Sequence, residues 1–145
     1  MQGKCSNQPY LLLMQTSKAI QERIKTELVP YKLNLTEFSV LEVLHLKGTQ
    51  TIQQVGHSIL ISSGSMTYVI DKLEQRGLLE RKACPNDRRA IHVLLTEDGT
   101  NLMTELMPMH QELVDDMFSD LDHEEAETIV KLLEKVNRKP RREFI

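Results

Sequence analysis

At Gly77 the apolar spacing of this 145-residue chain changes period, and that change restricts the available folds more than any other feature. Before it, Met66, Val69, Ile70 and Leu73 recur at intervals of three and four, as one face of a helix does. After it, Leu78 to Ala83 reads as a short strand, and Ile91, Val93 and Leu95 alternate with Ala90, His92 and Leu94 as a second. The link between them, Cys84-Pro85-Asn86-Asp87-Arg88-Arg89, is rich in turn formers, with its two arginines at the tip side. Helical spacing returns at Thr96. One hairpin enclosed by helices predicts a mainly α chain.

The helices before the hairpin are short and well punctuated. Leu13, Ile20, Ile24 and Leu28 mark a first helix from about Pro9 to Val29, stopped by Pro30, which lacks a donor and clashes with the preceding turn. Thr36 is the expected N-cap of a second helix, with Phe38, Leu41 and Leu44 as its stripe and Gly48 as its end. Thr51 with Gln54 fits a capping box opening a third, which carries Ile52, Val55 and Ile59 on one face. Ser62 or Ser63 then caps the fourth, and Gly77 suits its C-terminal stop. Beyond the hairpin, one helix is expected from Thr96 to about Leu121, bent at Pro108, and another from about Asp122 to Val136.

Two short helices over 51–60 and 63–76, followed by a two-stranded β-hairpin, form a winged helix-turn-helix pattern. The second helix of such a pair can enter a DNA major groove when its first turn is small and polar. Here that turn reads Ser62-Ser63-Gly64-Ser65-Met66-Thr67-Tyr68. Small hydroxyls let the backbone approach phosphates, which the positive helix end favours. Ser65, Thr67 and Tyr68 fall off the apolar stripe and are candidates to meet base edges or sugars, while Lys72 and Arg76 suit phosphates. An arginine such as Arg88 or Arg89 on the wing gains from the concentrated negative potential of a narrow minor groove.

Net charge alone points the other way. The chain carries 18 basic and 21 acidic residues, a net of −3. Placed along the sequence, residues 45–95 hold seven basic and four acidic groups, whereas residues 96–136 hold two basic and twelve acidic groups. The whole-chain value therefore hides a basic middle behind an acidic C-terminal segment. Forty per cent of residues are hydrophobic, but the longest strongly apolar run is Tyr10 to Met14, too short for a membrane span. The first residues lack an apolar signal region, so the expected localisation is cytoplasmic, with no membrane partner. Cys5 and Cys84 are then expected as thiols.

Three segments carry a family resemblance: Gly77-Leu78-Leu79-Glu80-Arg81, Asp87-Arg88-Arg89-Ala90 and Val93-Leu94-Leu95-Thr96-Glu97-Asp98-Gly99. Downstream of a Ser-Ser-Gly-Ser helix start, they closely resemble the signature of the MarR family of transcriptional regulators, and the likeness covers nearly the whole chain. It implies one domain over 1–145, with a DNA-binding lobe over 36–95 and dimerisation helices over 8–30 and 96–137. It further implies a homodimer on double-stranded DNA, acting as a repressor. In the family the arginine matching Arg89 enters the minor groove, held by the aspartate matching Asp87; a bidentate pair between such residues is physically sound. The helix from Ser63 to Arg76 would read the major groove.

The release of such a repressor has candidates of two kinds. Family members bind small aromatic or phenolic effectors in a crevice drawn from the first, second and fifth helices, which here offers Leu13, His45 and Met103. Others sense oxidants or quinones through a thiol in the first helix; that position falls near Leu12, about two helical turns from Cys5. Cys84 flanks the wing, where modification would disturb docking. The five histidines show no close metal-ligand spacing and no glycine-rich phosphate loop is present, so neither a metal, a cofactor nor an enzyme is expected. Asp122-His123-Glu124-Glu125 reads as a capped helix start. A winged helix that binds another polypeptide and no DNA is the competing class.

Overall fold

The computed structural model describes the backbone of residues 2–59, 63–84 and 86–138; for 2–6, 63–65, 87 and 88 the backbone alone is described. Among the described residues the order is α1 (Gln2–Leu28), a 3-10 turn (Val29–Tyr31), α2 (Leu35–Lys47), β1 (Gln50–Thr51), α3 (Ile52–Ile59), α4 (Ser63–Gln75), β2 (Leu79–Cys84), β3 (Asp87–Leu95), α5 (Glu97–Met117) and α6 (His123–Asn137). This is the mainly α, winged arrangement expected.

Several boundaries differ from the sequence reading for local reasons. α1 begins at Gln2 and passes through Pro9, whose fixed φ lies in the helical region. The N-cap of α2 is Asn34, not Thr36. Its side chain accepts from the Glu37 amide at 2.7 Å, and its own amide donates to Glu37 Oε1 at 2.9 Å. Asparagine caps at least as well as threonine, and here it also completes a reciprocal box. β3 starts at Asp87, so Asp87, Arg88 and Arg89 belong to a strand and not to the turn; Cys84 and Asp87 are register partners, after an irregularity between Ala83 and Cys84. α5 ends at Met117, before Leu121, and runs on through Pro108.

The hairpin also gains a third strand. Gln50 pairs with Val93 and Thr51 with His92, giving an antiparallel sheet in the order β1-β3-β2. Two residues are too few for alternation to show in sequence. Their effect is to tie the start of α3 directly to the wing.

The chain divides into two units, Met1–His110 and Gln111–Ile145, a division that falls inside α5. The first unit contains the core. α2 contributes Phe38, Val40, Leu41 and Leu44, and the α4 stripe Met66, Val69, Ile70 and Leu73 is buried throughout. Leu28, Val55, Leu79, Val93, Met103 and Leu106 complete most of the rest, each fully shielded from solvent. Each such side chain stabilises the fold by roughly 1.5–3 kcal/mol through burial. At one end of this core, His110 on α5 lies with its Nδ1 3.3 Å from Glu27 Oε2 of α1 and its Nε2 3.8 Å from Glu42 Oε2 of α2. Its ring packs on Phe38 with centroids 4.8 Å apart. A largely buried imidazole between two carboxylates thus joins three helices.

The second unit is different in kind. Among its described residues none is buried, and Phe118, Val130, Leu132, Leu133 and Val136 are exposed. α6 opens on the expected box, with Asp122 accepting from the Glu125 amide at 2.8 Å and Glu125 from the Asp122 amide at 3.0 Å. In α1, too, the run Tyr10 to Met14 is exposed at every position. No helix of the described residues is long and apolar enough to cross a membrane.

Candidate nucleic-acid interface

α3 and α4 are placed by their ends. Thr51 Oγ1 accepts from the Gln54 amide at 3.1 Å and Gln54 Oε1 from the Thr51 amide at 2.9 Å, the capping box expected for α3. α4 closes in a Schellman motif: Leu78 N donates to Leu73 O at 3.0 Å and Gly77 N to Glu74 O at 2.9 Å. Gly77 has φ 75°, a left-handed conformation that an L side chain rarely adopts. The chain thereby reverses at once from α4 into β2.

Between those ends α4 shows two faces. Met66, Val69, Ile70 and Leu73 are buried, while Thr67, Tyr68 and Lys72 are exposed. The Lys72 ammonium lies 5.5 Å from the centre of the Tyr68 ring, a cation–π contact that orders both side chains on the outer surface. Ser62 lies outside the described residues, as do the side chains of Ser63, Ser65, Asp87 and Arg88, and Gly64 is described by its backbone alone. The expected Asp87–Arg89 pair falls among these.

The wing is braced against α4 by a residue that sequence reasoning passed over. Arg81 on β2 pairs with both Asp71 and Glu74 of α4 and also donates its backbone amide to Glu74 Oε2 at 3.3 Å. The hydrogen bond to Asp71, then that to Glu74 and the charges of both, raise the guanidinium's pKa further above its ordinary value, against the opposing effect of burial. At the other strand, Thr96 N donates to Leu78 O at 3.1 Å, its hydroxyl donates to Gly77 O, and its Oγ1 caps α5 by accepting from Gly99 N at 3.1 Å. Helix, wing and α5 meet at this single corner.

Two cavities flank α4. One, of about 680 Å³, lies between α3, α4 and β3, with Ile52, His57, Thr67, Arg89 and Ile91 on its wall. It brings Arg89 of the wing and Thr67 of α4 to one groove, although they are distant in sequence. The other, of about 470 Å³, lies between α4 and the start of α2 and is lined by residues that include Lys32, Tyr68, Lys72 and Arg76. Arg76 has a structural engagement: Nη1 donates to Lys32 O at 2.8 Å and Nη2 to Tyr31 O at 3.1 Å.

The effector candidates differ in exposure. Leu13 is exposed on α1, His45 is half-buried on α2, and Met103 is fully buried in the core. None of them lines either cavity. Cys84 is a half-buried free thiol at the end of β2, and the Cys5 side chain lies outside the described residues. Among the described residues no cluster of His, Cys, Asp and Glu could hold a metal ion.

Comparison with known proteins agrees with this architecture. A family model described as the MarR family matches residues 33–91. The chain is 42% identical to the HTH-type transcriptional regulator MhqR of Bacillus subtilis over 127 residues, covering 88% of each protein. It is 36% identical to the HTH-type transcriptional regulator YkoM of the same species, covering 87% of this chain and 82% of that one. Among solved structures, a mutant MarR from E. coli complexed with operator DNA superposes with a TM-score of 0.79 at 25% identity, over 86% of this chain and 90% of that one. BpsR of Bordetella bronchiseptica, whose DNA binding is regulated by 6-hydroxynicotinic acid, superposes with a TM-score of 0.80 at 29% identity, over 90% and 98%.

Proposed function

The chain belongs to the MarR family, and from that premise we propose that it is a dimeric, sequence-specific DNA-binding regulator that represses transcription by occupying its operator. One observation carries the proposal most: Thr67 on the exposed face of α4 and the wing residue Arg89 border the same groove. A helix so placed would enter the major groove with Ser65, Thr67 and Tyr68 toward base edges or sugars, Ser62, Ser63 and Gly64 at its phosphate-facing start, and Lys72 on the backbone. The wing, with Asp87, Arg88 and Arg89, would reach the neighbouring minor groove. The likeness to a MarR–operator complex supports the same placement.

Exposed apolar side chains support the homodimer. Tyr10 to Met14 on α1, and Val130, Leu133 and Val136 on α6, offer apolar surface that a second copy would cover. Two-fold symmetry then calls for a pseudo-palindromic operator with half-site centres about 10 bp apart. The effector that releases the repressor is assigned to small aromatic or phenolic molecules, on the likeness to BpsR, with a thiol response through Cys5 or Cys84 as the alternative trigger. Either trigger shifts affinity only by its differential free energy between two lobe spacings.

The test is Arg89→Ala on an operator selected from genomic duplexes. The expected result is an unchanged circular-dichroism spectrum and dimer mass with operator affinity lowered by about tenfold, the order of one minor-groove arginine contact. Unchanged operator affinity would remove the wing from the interface. Loss of duplex binding with added salt distinguishes a DNA-binding protein from a winged helix that docks on polypeptide alone.

A further inference from the structure

The corner between α1 and α2 is built around a strained lysine. Lys32 has φ 57° and ψ 39°, and among the described residues it is the one non-glycine with positive φ. Glycine or asparagine fits a left-handed helix end with less strain. A long cationic side chain at this position therefore calls for a reason beyond turning the chain.

Its surroundings supply one. The Arg76 guanidinium, at the far end of α4, grips the carbonyls of both Lys32 and Tyr31. That clamp holds the left-handed turn against α4 and directs the corner to the cavity of about 470 Å³ where Lys32, Lys72 and Arg76 share a wall. The one carboxylate on that wall, Glu37, is already engaged, its Oε1 accepting from the Asn34 amide. Lys32 and Lys72 are both exposed, with the Lys72 ammonium over the Tyr68 ring. Tyr68 and Lys72 also belong to the outer face of α4. The groove is thus continuous with the proposed major-groove surface and carries more positive than negative charge.

We propose that Lys32 holds one backbone phosphate of a DNA duplex, next to the one that Lys72 meets, beside the groove that α4 enters, and that Arg76 is a positioning residue acting through Lys32. The inference deepens the DNA-binding reading and rests on it. It moves the boundary of the interface out of the winged lobe to the α1–α2 corner.

A phosphate contact is independent of base sequence, so a labelled random-sequence duplex is a sufficient probe. Binding of the full-length chain is followed by fluorescence anisotropy from about 50 to 200 mM KCl. Each phosphate contact contributes about 0.9 to the slope of log affinity against log salt. Lys32→Gln should make that slope shallower by about 0.9 per engaged protomer. The affinity gap to wild type should therefore narrow roughly 3.5-fold across that salt range. Lys32→Arg should keep the wild-type slope. Lys32→Gly relieves the backbone strain, so it should show the shallower slope of Lys32→Gln with a raised urea midpoint, separating loss of the phosphate contact from loss of stability. If Arg76 acts through Lys32, the Lys32→Gln, Arg76→Gln double variant should have the slope of Lys32→Gln alone.

A wild-type slope in Lys32→Gln, with wild type binding the duplex, would overturn this inference and leave the DNA-binding reading standing. Wild type failing to bind any duplex at low salt would overturn both. Calorimetric titration with inorganic phosphate is the remaining arm: saturation at low millimolar concentration, abolished in Lys32→Gln while the duplex salt slope of that variant stays wild-type, would assign the groove to a free anion and overturn the duplex assignment.

Discussion

Replacing Gly99 by alanine should cost this protein more stability than most single-atom-group additions, and the structure says why. A Cβ on Gly99 would stand 2.0 Å from the Leu78 carbonyl oxygen, 3.0 Å from its carbon and 3.3 Å from Leu95 Cδ2. A relaxed carbon–oxygen contact is near 3.3 Å, so the two groups must part by about 1.3 Å. The carbonyl has little freedom to retreat. It accepts from Thr96 N at 3.1 Å, and the Leu78 amide donates to Leu73 O at 3.0 Å to close α4. Overpacking of this kind costs about 3 kcal/mol, and the loosened Thr96 bond about 1 kcal/mol more. Alanine returns about 1 kcal/mol through helix propensity. The net loss is about 3 kcal/mol, or roughly 10 °C in Tm for a chain of this size. Urea unfolding followed by circular dichroism at fixed protomer concentration should show the midpoint fall by about 1.5 M. The control is Gly56→Ala in α3, where an added Cβ meets nothing within 4 Å. That variant should gain about 0.5–1 kcal/mol. If both alanines shift the midpoint in the same direction, the close approach at the α5 corner is not what requires glycine there.

Two further perturbations address the rest of the molecule. Leu133→Glu replaces an exposed apolar side chain of α6. On an isolated surface it would change stability by under about 0.5 kcal/mol. In a dimer interface it would bury a charge, and sedimentation velocity should report the 16.7 kDa protomer in place of the dimer. A dimer of undiminished affinity would place the interface elsewhere. His110→Ala should lower unfolding free energy by about 2–3 kcal/mol, since it leaves a void beside Phe38 and the largely buried Glu27 carboxylate without its imidazole. His110→Gln, which restores a donor, should recover part of that loss; equal midpoints for the two variants would show that packing alone matters there.

How much was legible in sequence depended on the reach of each interaction. The Thr51–Gln54 and Asp122–Glu125 boxes, the Gly77 stop and the buried α4 stripe were all readable, because each is decided by residues within about one or two turns. Asn34 and Glu37 obey the same local rule, and placing the cap at Thr36 overlooked that reciprocal pair. β1 was not readable at two residues, since its existence depends on β3 passing alongside.

The sequence by itself determined the order of the six helices and the hairpin, the apolar face of α4 and the presence of cationic groups on both the wing and the outer face of α4. Backbone propensities and side-chain periodicity act over a few residues and are written directly in the chain. Which cations would share a groove was decided only by the tertiary structure. Arg81 finds its partners ten and seven residues away, and Arg76 reaches carbonyls 44 and 45 residues away. Those pairings depend on the path of the backbone through the core. The same path brings Arg89 beside Thr67 and forces Lys32 into its left-handed turn at the α1–α2 corner. Local chemistry specified the parts, and long-range packing set the surface they present.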